Sequence, residues 1–393
     1  MDHLYAIHIT SVEDLRSNAA AWDDLWWRSD VALPPARAAS LAQWVEHFRP
    51  RADFHALVVA QAGRWIAALP LVSSRVGWLI PAGGLPCNAW SPCGELLCDA
   101  TAEVDAAMDV LLAAAARLPW QLLWLNDAVP ETPRWQALLR ACERADLPAN
   151  YHERYRVGRV EIDGSWSLYQ KRLPKNHRQA MNRAARRLEC EGEVRFEMNS
   201  QLDPSEVEPW LDEAFEVEDL GWKGAGGSSV LRTPGMFRFF VGQAEQLARW
   251  SQLETAALRL DGRMLAFVYG FRAKGVYFAH KIGYDPSFAA FSPGQLLFHH
   301  ILAQLHGDGQ TSALDFVGPL NHSLSRWRPA TYGVGRLVLA PRRLLGRAAM
   351  FAYRHVWRRL RRAKETVPSG DPSRAAPPAV DSPVVLEPAG ASG

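Results

Sequence analysis

Long apolar runs are missing from this 393-residue sequence. No window of about 18 residues is apolar enough to cross a bilayer as a helix, and the opening MDHLYAIHIT has no basic-then-apolar signal pattern. Cysteine is sparse. The five residues, Cys87, Cys93, Cys98, Cys142 and Cys190, are odd in number and form no C-x-x-C pair, which excludes a disulfide scaffold and fits a reducing cytosol. The three between Cys87 and Cys98 have no histidine at zinc spacing, so they read as free thiols and no metal is expected. Charge of one sign is missing too. Lys and Arg number 44 against 42 Asp and Glu, a net of +2, so the total gives no argument for a DNA partner.

What is present is ordinary globular composition, 48% hydrophobic and 22% charged, at a length that suits two or three domains. Tryptophan is plentiful, and Trp22, Trp26, Trp27 and Trp44 crowd the start, where they read as packing or as a stacking platform for a sugar or a base. The most informative feature is a repeat. Residues 56–69 read ALVVAQAGRWIAAL and residues 256–268 read AALRLDGRMLAFV. Each is an apolar run, a Gly-Arg turn (Gly63-Arg64, Gly262-Arg263) and a second apolar run, the pattern of a tight hairpin. Downstream, Ser91-Pro92-Cys93-Gly94 precedes a helical stretch at Ala106–Leu118 and a strand-like run at Gln121–Leu125. Ser292-Pro293-Gly294 likewise precedes Gln295–Leu305 and Ala313–Val317. The order hairpin, loop, helix, strand therefore occurs twice.

The expected organisation is a first half over 1–150 and a second over 151–335, then a basic amphipathic segment at 336–364 and a disordered tail rich in Pro, Ala, Ser and Gly at 365–393. The join falls near Ala149–Arg159, a strand at Arg156–Ile162 opens the second half, and a helix follows from about Pro174, as its first residue, to Glu191. Met181, Ala184, Ala185 and Leu188 form its apolar stripe. Its other side carries Lys171, Arg172, Lys175, Arg178, Arg183, Arg186 and Arg187, a solvated face or a site for an anionic acceptor, carrier protein or lipid-linked sugar phosphate. From Arg336 to Lys364 ten Arg or Lys and no Asp or Glu are interleaved with Leu344, Leu345, Ala348, Phe351, Ala352 and Trp357, a pattern for peripheral contact with anionic membrane or for docking on the second half.

The basic helix LPKNHRQAMNRAARRLE is followed in order by Gly221-Trp222-Lys223-Gly224, Leu260-Asp261-Gly262, Gly283-Tyr284-Asp285-Pro286, Ser292-Pro293-Gly294-Gln295-Leu296-Leu297 and Asp315-Phe316-Val317-Gly318. Over residues 155–330 this series resembles the CelD-like acetyltransferases, a branch of the GNAT superfamily associated with polysaccharide and cellulose biosynthesis. The whole chain is similar to the doubled architecture of the FemAB aminoacyltransferases. The resemblance implies an α/β fold of two tandem GNAT-like halves, the first degenerate, with mixed sheets and flanking helices. It also implies an N- or O-acyltransferase that takes an acyl group, acetyl above all, from acyl-CoA as co-substrate. The acceptor would be an amine or hydroxyl of a small molecule, a sugar, a polysaccharide precursor or an amino compound. The chain departs from the family where Ser323 and Leu324 replace a Tyr-Lys pair ahead of Trp327. That implies another acceptor, a role for Arg326 or Arg328, or lost turnover.

Transfer from a thioester requires donors for its carbonyl, a holder for the pyrophosphate and a group that takes a proton. On that basis the catalytic candidates are His280 as base, Tyr284 as acid toward the thiolate, and Asp315 on a strand. Ser292, Gly294, Gln295 and Leu296 are the candidates for the co-substrate, with Ser292 also able to cap the helix and Pro293 at its first position. Trp222, Lys223, Asp285 and Trp327 are the candidates for the acceptor. Glu216, Glu218 and Asp219 beside Gly224-Ala225-Gly226-Gly227 suggest a mobile lid. Two rival readings stand beside this one. The first is FemAB-like aminoacyl transfer, with charged tRNA as partner. The second is a non-catalytic subunit of an exopolysaccharide assembly. The expected location is cytoplasmic, with or without membrane-peripheral contact.

Overall fold

A computed structural model describes residues 3–76, 80–341, 346–353 and 355. The first half runs β1 (Leu4–Ile9), α1 (Val12–Ser17), α2 (Ala19–Arg28), α3 (Ala38–Phe48), β2 (Phe54–Gln61), β3 (Arg64–Val76), β4 (Ile80–Gly84), β5 (Leu97–Cys98), α4 (Val104–Ala115), β6 (Leu122–Ala128) and α5 (Pro133–Arg144). Strand β7 (Ala149–Glu161) leads to α6 (Trp166–Arg172), α7 (Lys175–Glu189), β8 (Val194–Asn199), α8 (Pro204–Asp219), α9 (Trp222–Ala225) and α10 (Met236–Arg249). The second half then repeats the order of the first: β9 (Leu253–Leu260), β10 (Arg263–Ala273), β11 (Val276–Tyr284), α11 (Pro293–Gly307), β12 (Ala313–Pro319), α12 (His322–Ser325) and β13 (Ala330–Leu339).

The two hairpins correspond residue by residue. Ala62 and Gly63 have φ of 52° and 79°, and Asp261 and Gly262 have 48° and 84°, so both turns hold two central residues in the left-handed region that a two-residue hairpin needs. Each hairpin also skips one residue soon after its turn. Val59 pairs with Ala67 and Ala60 with Trp65, leaving Ile66 over; Leu258 pairs with Ala266 and Arg259 with Met264, leaving Leu265 over. Ile66 and Leu265 stand at the same distance from their turns, so the bulge is duplicated with the hairpin.

The halves share one mixed sheet in the order β1-β2-β3-β4-β6-β13-β7-β12-β11-β10-β9-β8, with β5 pairing β3 at the side. Strand β7 follows β6 in the chain yet lies against β12, while β13 follows β12 yet lies against β6. The two strands pair antiparallel with each other from Ala149↔Leu339 to Arg159↔Ala330. The expected join near Ala149–Arg159 is therefore a central strand, and it begins seven residues earlier than Arg156. Arg336 lies inside β13, buried, its guanidinium on Asn126 Oδ1 at 2.7 Å and over the Trp124 ring at 4.1 Å. The basic segment thus does not start at Arg336, because 336–339 is sheet. Within 346–353, which is helical, Ala349, Met350 and Tyr353 are buried against the fold and Phe351 is exposed. Leu344, Leu345, Trp357 and the expected tail at 365–393 lie outside the described residues.

Pro174 precedes α7 as its cap residue rather than occupying the first turn. The apolar stripe holds at Met181, Ala184 and Leu188, which are buried; Ala185 is half-buried. On one face of the sheet a single core joins the halves, from Trp22, Trp26 and Trp44 to Phe215, Phe240, Phe267 and Tyr269. Trp27, by contrast, is exposed. Lys274, in the turn between β10 and β11, reaches into the first half and donates to the carbonyls of Trp26, Ser29 and Val31, the last two at 2.9 and 2.8 Å. Burial lowers its pKa to about 8.

Lys274→Met strands the Ser29 and Val31 carbonyls, each worth about 1–3 kcal/mol if left unpaired, while the Trp26 carbonyl keeps the Ser29 hydroxyl at 2.8 Å. It is expected to lower the unfolding free energy from urea titration by at least ~2 kcal/mol while unfolding stays a single transition. Two separate transitions in the wild-type chain would show that the halves do not share a cooperative core.

Candidate functional site

The parallel pair of β11 and β12 is short. It runs Val276↔Ala313, Tyr277↔Leu314 and Phe278↔Asp315 and stops, although β11 continues to Tyr284. Two local features part the strands. On β11 the pairing with β10 jumps from Gly270↔Ala279 to Tyr269↔Lys281, leaving His280 as an extra residue. This bulge needs Gly270, because a Cβ there would sit 2.5 Å from the Phe278 carbonyl oxygen. On β12 Val317 takes a φ of 60°, and its N–H donates to Asp315 Oδ1 at 2.7 Å. Beyond Phe278 the edge of β11 that faces β12 therefore has no strand partner among the described residues. Backbone N–H groups exposed in such a gap are donors already oriented for a carbonyl oxygen.

A bulge re-aims side chains, and here it brings the consecutive His280 and Lys281 to the same aromatic surroundings. His280 lies 5.4 to 6.1 Å from the rings of Phe271, Tyr269 and Phe240. Its Nε2 is buried without a partner. Burial first, then the charge of Lys281, push its pKa well below the usual imidazole value, against a hydrogen bond to the Trp90 carbonyl that raises it. The ring is neutral at pH 7. Lys281 is buried over Trp90 at 4.9 Å and Phe240 at 5.0 Å. Burial, and then Lys223, lower its pKa to about 7, with Glu218 opposing. It is an amine that gains or loses a proton near neutrality, in a strand otherwise apolar around it. The sequence reading passed over Lys281; a lysine inside an apolar strand beside His280 was the available signal.

The first half supplies the lid of this corner. Asn88 Oδ1 accepts from the N–H groups of Trp90 and Ser91 at 2.9 and 3.0 Å, a local turn that presents Trp90. Ser91 Oγ accepts from Gln243 Nε2 at 3.1 Å, and Tyr269 donates to Gln243 Oε1 at 3.0 Å. Trp90 was not legible as a site residue, since nothing in its spacing indicates that it crosses to the other half.

The acidic end of α8 does not frame a free lid. Buried Glu218 pairs with Lys223 and accepts from the Val230 N–H at 3.0 Å. Asp219 holds Arg232 at 2.7 Å and Ser229, and Arg232, then Ser229, depress its pKa to about 2. The Gly-rich stretch is tied down at both carboxylates. Lys223 thus reaches the site already paired, while Trp222 is 66% exposed at its edge.

At the other end of the gap, Tyr284 is exposed, and a Cβ on Gly294 would lie 3.9 Å from its ring and meet nothing else. Ser292 precedes α11 with a φ of 52° and makes no side-chain cap bond, so the expected cap is absent, although Pro293 does hold the first position. The N–H groups of Gln295 and Leu296 both go to the Ser292 carbonyl. With proline lacking one, Gly294 has the unengaged N–H of this first turn. Three further candidates turn out to be structural. Gln295 is buried, donating to Ser323 Oγ at 2.7 Å and the Ser323 carbonyl at 3.2 Å. Leu296 is core. Asp285 is buried, capping Ser287 and paired with Arg263 of the hairpin. Asp315 is buried with both oxygens engaged, one by Val317 and the other by Tyr332 at 2.9 Å; burial raises its pKa. Trp327 is fully buried behind α11 and not in the gap. Among the described residues no cluster of His, Cys, Asp and Glu has metal-ligand geometry, and the five cysteines are unpaired.

Residues 175–323 match the family model of an acetyltransferase (GNAT) domain. No curated protein matches the chain. Among solved structures the chain is similar to FemX at 11% identity and a TM-score of 0.55, over 85% of this chain and 96% of that one. It is similar to the C-terminal domain of a putative lysylphosphatidylglycerol synthetase from Agrobacterium fabrum at 17% and 0.51, over 86% and 96%. The likeness to L-PGS from Bacillus licheniformis is 15% and 0.51, over 85% and 96%. These identities speak for the fold, a mixed α/β sheet of tandem halves with flanking helices.

The lysine at the bulge gives a test by stability. Its folded pKa of about 7 lies below the unfolded value of 10.5, so between them the unfolded chain binds more protons and stability rises with pH. From pH 7 to 8 Lys281 should contribute about 1 kcal/mol and Lys274, with its pKa of about 8, roughly a third of that. The larger part of the gain should therefore vanish in Lys281→Met. Urea midpoints at the two pH values measure it; equal gains in both proteins would return Lys281 to an ordinary pKa.

Proposed function

We propose that the chain is a GNAT-type acyltransferase that moves an acyl group from acyl-CoA to an amine or hydroxyl. The observation that carries this reading is the parted β11–β12 pair, with the His280-Lys281 bulge at one end of the gap and Tyr284 with Gly294 at the other. The acyl carbonyl accepts from the free N–H groups of the β11 edge, which stabilise charge on its oxygen. The acceptor atom attacks the carbonyl carbon and gives its proton to the Lys281 amine, the C–S bond breaks, and the departing thiolate takes a proton from Tyr284. His280, neutral and bonded to the Trp90 carbonyl, holds the bulge against the first half. Acetyl transfer to a sugar or polysaccharide precursor is the finer form, supported by the motif order that resembles the CelD-like branch.

One observation favours a second reading, FemAB-like aminoacyl transfer from charged tRNA. Lys175, Arg178, Arg183, Arg186 and Arg187 of α7 are exposed and have no carboxylate partner among the described residues. A face of this kind attracts a phosphate backbone in a salt-dependent way. Activity that needs charged tRNA and ignores acetyl-CoA would select it. Among the described residues no helix is long and apolar enough to cross a membrane. Peripheral membrane contact, if made, would use the exposed side of 346–353 around Phe351.

The side chain of Gly294→Trp has open space to enter and would cover the one free N–H of the α11 first turn. Its affinity for CoA, measured by calorimetry, should fall by about tenfold or more, the scale of a lost bond to a charged group, with the melting temperature unchanged. Undiminished affinity in the folded variant would place the donor elsewhere.

A further inference from the structure

Behind the first turns of α11, on the side of α7, lies a cavity of about 120 Å³ lined by Gln170, His177, Arg178, Asn182, His299 and Trp327. It lies apart from the parted strands, and the transfer reading makes no use of it. Its walls hold polar atoms that the chain does not satisfy. Trp327 is fully buried and its Nε1–H has no partner; His177 is 6% exposed and neither ring nitrogen has one. The two rings meet edge to face, 4.7 Å apart, so both are fixed by packing. Trp327 is held further through its carbonyl, which accepts from Tyr169 at 2.6 Å. Buried polar groups left unpaired are costly, and a native chain meets them with ordered water or a bound group.

The character of that partner follows from the lining. Its hydrogen-bonding groups are an indole N–H, which only donates, two imidazoles, two side-chain amides and a guanidinium. No carboxylate lines it. Arg178 has no acidic partner among the described residues, and Arg326 is near enough for its charge to act on His177. The volume is roughly four times that of one water in the liquid, which suits a group with four oxygens around one centre. We infer that this cavity binds a phosphate group, with Trp327 Nε1–H and His177 as the buried donors and Arg178 as the charge at its wall. The group is either free phosphate or the monoester end of a larger ligand.

The test is a titration of the intact chain followed by the ¹H–¹⁵N signals of its indoles, with Trp327→Phe used to assign one of them. Inorganic phosphate and glycerol phosphate are added separately, against sodium chloride at matched ionic strength. The Trp327 indole signal should move saturably with one phosphate compound or both and stay still in chloride. Movement with inorganic phosphate alone assigns a closed site for the free ion; movement with both assigns a site open to esters. Arg178→Gln, on an exposed helix position that leaves the fold intact, should weaken binding by about tenfold or more. A Trp327 signal that ignores both compounds, or moves equally in chloride, overturns the inference. So does an Arg178→Gln protein that titrates like the wild type.

Discussion

The antiparallel pairing of β7 with β13 is the constraint on which the rest of this molecule depends. Each strand leaves the half that precedes it in the chain and completes the edge of the other, so neither half owns a finished sheet. The interface between the halves is then a ladder of backbone hydrogen bonds, not a surface that slides, backed on one face by an aromatic core drawn from both. Fixing the halves in this way fixes where the Trp90 turn of the first half meets the β11 bulge of the second.

That cluster illustrates how burial sets chemistry. His280 and Lys281 are cationic residue types, yet both are driven toward the neutral form by the same aromatic surroundings. A lysine that is neutral near pH 7 can accept a proton, which an exposed lysine at that pH cannot. Glu218 limits the effect, since it is buried beside them and its charge is held by Lys223.

Much of the fold was legible because it rests on local rules. The two Gly-Arg turns, the helix at 293–307 and the strands on either side follow from turn chemistry and periodicity, which act over a few residues. The site was less legible because its members come from distant places. Gly294 and Tyr284 could be named, and they do meet. Gln295, Leu296 and Asp285 sit beside them in sequence but point into the core or into a turn, since one residue's step along a helix or strand end changes the face. Lys281 stands at a bulge that no pattern in one sequence announces, so its place inside an apolar strand beside His280 was the one signal it gave. The strand exchange was hidden as well: β13 reads as the start of a basic segment because the burial of Arg336 depends on Trp124 and Asn126, some two hundred residues away.

The exchange also sets an order on synthesis. When Glu161 leaves the ribosome, the first half has every element but one, and β6 still presents an open edge that only β13 covers. The missing strand arrives about 180 residues later, a delay of roughly 10–35 s at ordinary rates of translation. An unpaired edge that persists for seconds is an invitation to the wrong partner. For this molecule, then, the first-made half is closed only by a strand made after nearly all of the second.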